Sequence, residues 1–187
     1  MTLNQGQIEV RIDQEGDQLN ISFDSLPTRV EELSPDYLNE ILTSFNYEEK
    51  DLNKQFQPMI SDAGARHAII VLNSREALAS MSYDMDRGKK VMLKGELDTV
   101  SLIFQESASL FHARNPFPVG GIYEDPATGA AAAAFGGYLR DMGIFEQGEV
   151  ILHQGFDMGI PCVLKVSISG EKGDPITISG RAREIEY

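Results

Sequence analysis

The sequence predicts a mixed fold of strands and short helices, with a sheet wrapped around one late, alanine-rich helix. Three observations carry that expectation. Short runs of apolar residues at strand spacing alternate with segments at helical spacing along the chain. Ala130 to Ala134, with Gly136 and Gly137, leave almost no side-chain bulk on any face of one helix. Of the 187 residues, 42% are hydrophobic and 24% charged, which is enough apolar material to bury a core. That length supports one ordinary domain, or one domain plus a fragment of a second.

Ile8, Val10 and Ile12, then Leu19, Ile21 and Phe23, alternate with polar residues around the turn-forming Gln14-Glu15-Gly16-Asp17. Residues 7–24 therefore read as a β-hairpin with one buried face. A lone hairpin is marginal in water, so this one must pack against something else. Ser25 to Glu32, with Pro27, reads as a linker. Ser34-Pro35 is an N-cap followed by proline at the first helical position, and Tyr37, Leu38, Ile41, Leu42 and Phe45 share one helical face. Residues 46–66 are poorly patterned. His67 to Leu72 reads as a buried strand. Ser74 caps a short helix to about Ser80, and a second helix covers Asp84 to Leu93 with Gly95 as its stop.

Thr99 to Gln105 and Ser107 to Arg114 read as strands. Asn115 to Gly121, with two prolines and two glycines, reads as a rigid loop. Asp125-Pro126 again looks like a cap with proline at the first position, so the alanine-rich helix is expected over about 126–142, stopped by Gly143. Glycine inside a helix costs about 1 kcal/mol relative to alanine. Such a cost persists where neighbouring backbone approaches closely, which places this helix at the centre of the sheet. Glu149 to Leu152, Cys162 to Ser169 and Ile176 to Arg183 complete the strands.

The formal net charge is −13, from 16 Lys+Arg against 29 Asp+Glu. Phosphate backbones are bound by neutralising them, so a nucleic-acid partner is not expected, nor is an anionic membrane surface. No apolar run approaches the ~20 residues of a spanning helix, and the first ten residues lack a signal-peptide pattern. Cys162 is the single cysteine, so no intrachain disulfide can form. A cytoplasmic setting is the default. His67, His112 and His153 lie far apart with no HxH or HxxxH pair, so no metal site is expected. His67 and Cys162 read as packed residues.

The chemistry is expected at the amino end of the alanine-rich helix. Its first turns carry unpaired N–H groups and the positive end of the helix dipole. Gly129 and Ala130 lack bulk to shield those donors, so a ligand carboxylate or phosphate can dock there. Thr128 adds a hydroxyl and Asp125 a carboxylate at the mouth, with the loop ending at Gly121 as the opposite wall. The same pattern also fits ordinary capping and tight packing.

The string GIYEDPATGAAAAAFGGYL resembles the signature of the phenazine-biosynthesis PhzF-like family, GI-x-EDP-x-TGSA. Arg114 and Pro118 resemble the R-x-x-x-P before it, and Gln154 to Pro161 resemble QG-x-x-MGRP. Ile176, Ile178, Gly180 and Ala182 are similar to the closing V-x-V-x-G-x-A. The resemblance implies an α+β, diaminopimelate-epimerase-like fold, in which each of two domains curves a mixed or antiparallel sheet around a central helix. It implies a cofactor-independent isomerase or epimerase that moves a proton on a small carboxylic acid in the cleft between domains. In that setting Asp125 is the site aspartate, and Thr128, Gly129, Ala130 and Gly121 form the substrate-binding set.

The departures are equally specific. The family's first-domain glutamate in an S-E-T motif and histidine in C-G-H-A-T have no counterpart in this sequence. The serine after T-G is Ala130, the arginine of MGRP is Ile160, and the next serine is Cys162. The resemblance thus implies that residues 1–25 are the last hairpin of a first domain and 26–187 the second domain. Either the other half is a separate chain or a second copy completes a homodimer. The alternative is a non-catalytic small-acid-binding or dimerisation module.

Overall fold

The computed structural model describes residues 2–3, 6–16 and 18–182. A two-residue pair, β1 (Thr2–Leu3) and β2 (Gly6–Gln7), precedes the hairpin β3 (Val10–Glu15) and β4 (Gln18–Asp24). Next come β5 (Arg29–Glu32), α1 (Pro35–Ser44), β6 (Met59–Asp62) and β7 (Arg66–Leu72). The short helix α2 (Arg75–Ala79) and α3 (Met85–Lys94) lead into β8 (Thr99–Gln105), β9 (Leu110–Phe117) and β10 (Ile122–Asp125). The central helix α4 (Gly129–Asp141) is followed by β11 (Gly148–Gln154), β12 (Cys162–Ile168) and β13 (Thr177–Ala182).

All strands from β3 onward form one mixed sheet, in the order β3-β4-β13-β12-β11-β9-β8-β7-β6-β5, with β10 added against β9. The β7–β8 and β9–β11 pairs are parallel and the others antiparallel. Helix α4 touches β5, β6 and β7 near one end of that order and β12 and β13 toward the other. A single helix can reach both only if the sheet curls around it. One core therefore lies between α4 and the inner face, built on Ile69, Val71, Phe111, Phe135, Tyr138, Val166 and Ile178. The second lies on the outer face under α1, α2 and α3, around Ile41, Phe45, Ile70, Leu78, Met92 and Leu102. This is the α+β architecture with an enclosed helix that the sequence predicts.

The two glycines inside α4 answer to close neighbours, which are side chains rather than backbone. A Cβ on Gly136 would lie 2.7 Å from Val166 Cγ1, and one on Gly137 2.7 Å from Thr28 Cβ. Arg140 fastens the other end. Its guanidinium, 4% exposed, donates to Asp141 Oδ1, the Ser169 carbonyl, Thr28 Oγ1 and the Asp174 carbonyl at 2.7–3.1 Å.

Three local expectations are corrected. Residues 29–32 are the edge strand β5, paired with β6, rather than part of a linker. Strand β9 continues through Asn115 to Phe117, because β10 folds back on it and supplies the pairing that the prolines suggested was absent. The hairpin joins the sheet through β4–β13, but Ile12 remains 62% exposed, so its apolar face is only partly covered.

Candidate functional site at the amino end of α4

Helix α4 begins at Gly129, three residues later than the Asp-Pro pair suggests. Asp125 is still strand: it pairs with Asn115 across β9–β10, after a bulge between Ile122 and Glu124. Pro126 and Ala127 form the turn, and Thr128 is the residue preceding the helix, its own side chain accepting no N–H of the first turn.

A compact network holds this turn. Asp125 Oδ2 accepts the Thr128 hydroxyl at 2.8 Å and Oδ1 accepts the Ala127 N–H at 3.3 Å. Gln154, fully buried at the end of β11, spans the gap from the sheet. Its Oε1 accepts the Thr128 N–H at 3.1 Å. Its Nε2 donates to the Asp125 carbonyl at 2.7 Å and to Thr128 Oγ1 at 3.0 Å. The following Gly155 sits with φ +77° where a Cβ would meet the Ile160 and Pro126 carbonyls at 2.2 and 2.9 Å. That contact is closed to any other residue, and it locks the loop after β11 against the site turn.

What remains is a helix end whose N–H groups beyond Thr128 have no side-chain cap. The N–H groups of Gly129, Ala130 and Ala131 precede the first intrahelical acceptor, since the Ala132 N–H is the first to reach back, to Thr128 O at 3.0 Å. Thr128, Gly129 and Ala130 are half-buried, whereas every residue from Ala131 to Arg140 is buried. The end of the helix thus reaches the surface while its body does not. Phe23 of β4 forms one wall, with its ring where a Gly129 Cβ would sit 2.9 Å away. Cys162, opposite Gln154 across β11–β12, lies on the same inner face.

The structure therefore brings Asp125, Thr128, Gly129 and Ala130 together. It places Gly121 elsewhere. That glycine ends the 3₁₀ turn Pro118–Gly120 with φ +82°, at the far end of β10, and four residues of extended chain, about 13 Å, separate it from Asp125.

Two constellations escaped the sequence. The first is Gln154, whose partners lie 26 and 29 residues away. The period-two run Val150, Leu152, Gln154 was its signal, since it puts an amide on the inner face where it must be satisfied. The second is a buried ion pair, Arg114 with Glu124, 9% and 2% exposed. Arg114 Nε donates to Glu124 Oε1 at 3.0 Å, and Nη1 to the Ala79 carbonyl at 2.9 Å. This pair faces away from α4 and pins β10 to the end of α2.

The histidines form no shared site. His67 is fully buried, with Nδ1 2.7 Å from Thr99 Oγ1, and burial pushes its pKa down to about 4. His112 and His153 meet on the outer face with ring centroids 5.2 Å apart, beside Glu106 and Phe156. Burial and then the neighbouring His112 lower the His153 pKa. Among the described residues no group of three or more His, Cys, Asp and Glu could hold a metal ion. No helix among them is long and apolar enough to cross a membrane.

A curled mixed sheet closed over one small-residue helix defines the class: the PhzF and proline/diaminopimelate-epimerase-like folds. A PhzF-family phenazine biosynthesis protein of Bacillus anthracis has a TM-score of 0.76 at 18% identity, over 95% of this chain and 62% of that one. A hydroxyproline epimerase of Agrobacterium vitis, with bound trans-4-OH-L-proline, has 0.59 at 12%, over 94% and 54%. The chain itself belongs to the phenazine biosynthesis-like protein family, whose model matches residues 1–186. An uncharacterized isomerase of Clostridium acetobutylicum is 28% identical over 159 residues, 76% of this chain and 50% of that protein. The chain spans about half the length of the curated relatives it matches.

Proposed function

We propose that this chain is the second half of a cofactor-independent isomerase or epimerase that moves a proton on a small carboxylic acid. The observation that carries the reading is the uncapped, half-buried start of α4 at Gly129 and Ala130. The ligand carboxylate docks on those backbone donors, where the helix dipole adds to the attraction. Asp125, oriented by Ala127 and Thr128, polarises or orients the ligand beside them. The bound hydroxyproline of the Agrobacterium vitis epimerase supports a small cyclic acid as the class.

Proton transfer at carbon needs both a positioned acid and a positioned base, and among the described residues the turn before α4 offers one carboxylate, Asp125. The transferring groups therefore come from a first domain, of which residues 1–25 are the closing hairpin and 26–187 the partner domain. The exposed apolar positions Val10 and Ile12 support that division, as does the half-length match to relatives. A separate first-domain chain, or a second copy forming a homodimer, covers this hairpin in a cytoplasmic assembly.

The test is α-proton exchange in D2O, followed by proton NMR over a panel of proline-like and other small acids. The chain of 187 residues alone gives negligible exchange. Supplying the missing domain restores exchange, and Asp125→Asn abolishes it. Robust exchange by the isolated chain would refute the division of the site.

A further inference from the structure

We propose that Gln154 is the positioning residue that sets which backbone donors the helix offers to a carboxylate. The inference rests on the reading of the α4 amino end as a carboxylate site. A free helix start presents a ladder of N–H groups, and an anion can settle at more than one step of it. Gln154 removes one step. Its Oε1 occupies the Thr128 N–H at 3.1 Å, leaving Gly129, Ala130 and Ala131 as the available donors.

Its amide group also fixes the polarity of the neighbouring hydroxyl. Gln154 has two amide hydrogens, and both are committed, one to the Asp125 carbonyl and one to Thr128 Oγ1. With Oγ1 accepting from Gln154, the Thr128 hydrogen is directed to Asp125 Oδ2. The chain of donors therefore runs from Gln154 through Thr128 to Asp125. Thr128 is left as a relay within the turn and has no hydrogen to give a ligand. This modifies the expectation that Thr128 binds substrate directly: the carboxylate is held by backbone N–H groups one residue into the helix. Reversing the amide would set Nε2 against the Thr128 N–H and Oε1 against the Asp125 carbonyl, two clashes of like polarity. The orientation is fixed by the backbone itself.

The experiment titrates sodium acetate into the chain of 187 residues and follows backbone amide shifts, for the native protein and two variants. In the native protein the Gly129 and Ala130 amides shift and Thr128 stays still. In Gln154→Leu the Thr128 N–H is released, and the largest shift moves to Thr128. In Gln154→Glu the side chain keeps its length and one acceptor, but it loses both donors and adds a negative charge at the helix start. Acetate affinity then falls at least tenfold. A structural role alone would change stability without moving the pattern from one residue to the next. If native Gly129 and Ala130 do not respond, the carboxylate site is wrong and this inference falls with it. If they respond, but Gln154→Leu keeps the native pattern or Gln154→Glu the native affinity, the role of Gln154 is wrong. Should Gln154→Leu fail to fold, the Gln154→Glu titration decides alone.

Discussion

Lowering the pH should destabilise this protein through one buried residue, His67. The side chain is 1% exposed between Thr99 and the inner core, and burial drives its pKa from 6.5 to about 4, although Asp98 and Asp62 pull the other way. The unfolded chain takes up a proton at this histidine as pH falls through 6.5, whereas the folded chain refuses it until about 4. Stability from this group is therefore complete above 6.5, declines between 6.5 and 4, and levels off below. At about 1.4 kcal/mol per pH unit, the separation amounts to about 3 kcal/mol, a large part of the ~5–15 kcal/mol that holds a typical domain together. Urea unfolding at several pH values, for the native chain and for His67→Phe, isolates the effect from the carboxylates. The variant removes the His67–Thr99 hydrogen bond and leaves the Thr99 hydroxyl its longer contact to Asn115 Oδ1 at 3.5 Å, a pH-independent cost of about 1 kcal/mol. Between pH 7 and 4 the native chain should lose about 3 kcal/mol more than the variant. Parallel pH profiles would show that the imidazole is charged in the folded state, or solvated, and the argument would be wrong.

Two further substitutions probe how α4 and β10 are held. Gly137→Ala gains helix propensity but forces a methyl to 2.7 Å from Thr28 Cβ in the connection before β5; net destabilisation of about 1–3 kcal/mol is expected from overpacking, read as a lower urea midpoint, and a stabilised variant would contradict the close approach. Glu124→Gln leaves the buried Arg114 guanidinium without its counter-charge; a loss of about 3–5 kcal/mol is expected, and a variant within experimental error of native in thermal unfolding would mean the pair is solvated.

Much of the secondary structure was legible because its signals are local. Ser34, Ser74 and Asp84 each accept a hydrogen bond from the N–H three residues on, and Gly95 ends α3, as their positions imply. Strand β8 has the predicted limits, Thr99–Gln105. Helix α4 starts later than Asp125-Pro126 implies, although that pair carries the same local signal as Ser34-Pro35. At Asp125 the competing interaction is a cross-strand pair with Asn115, which keeps the chain extended. Likewise β5 and β6 have weak patterns of their own and exist because each completes the other against the core.

Residue chemistry at short range thus settled most of the segments that coil or extend, and that a small-residue helix lies at the centre. Those properties depend on side-chain volume, capping and dihedral preference within a few residues. Gln154 closing over Thr128, Arg114 burying Glu124, and Gly121 lying a strand's length from Asp125 were decided by strand register and by the curl of the sheet. Each joins groups that are near in space only after the whole sheet has paired, and no local pattern encodes that distance.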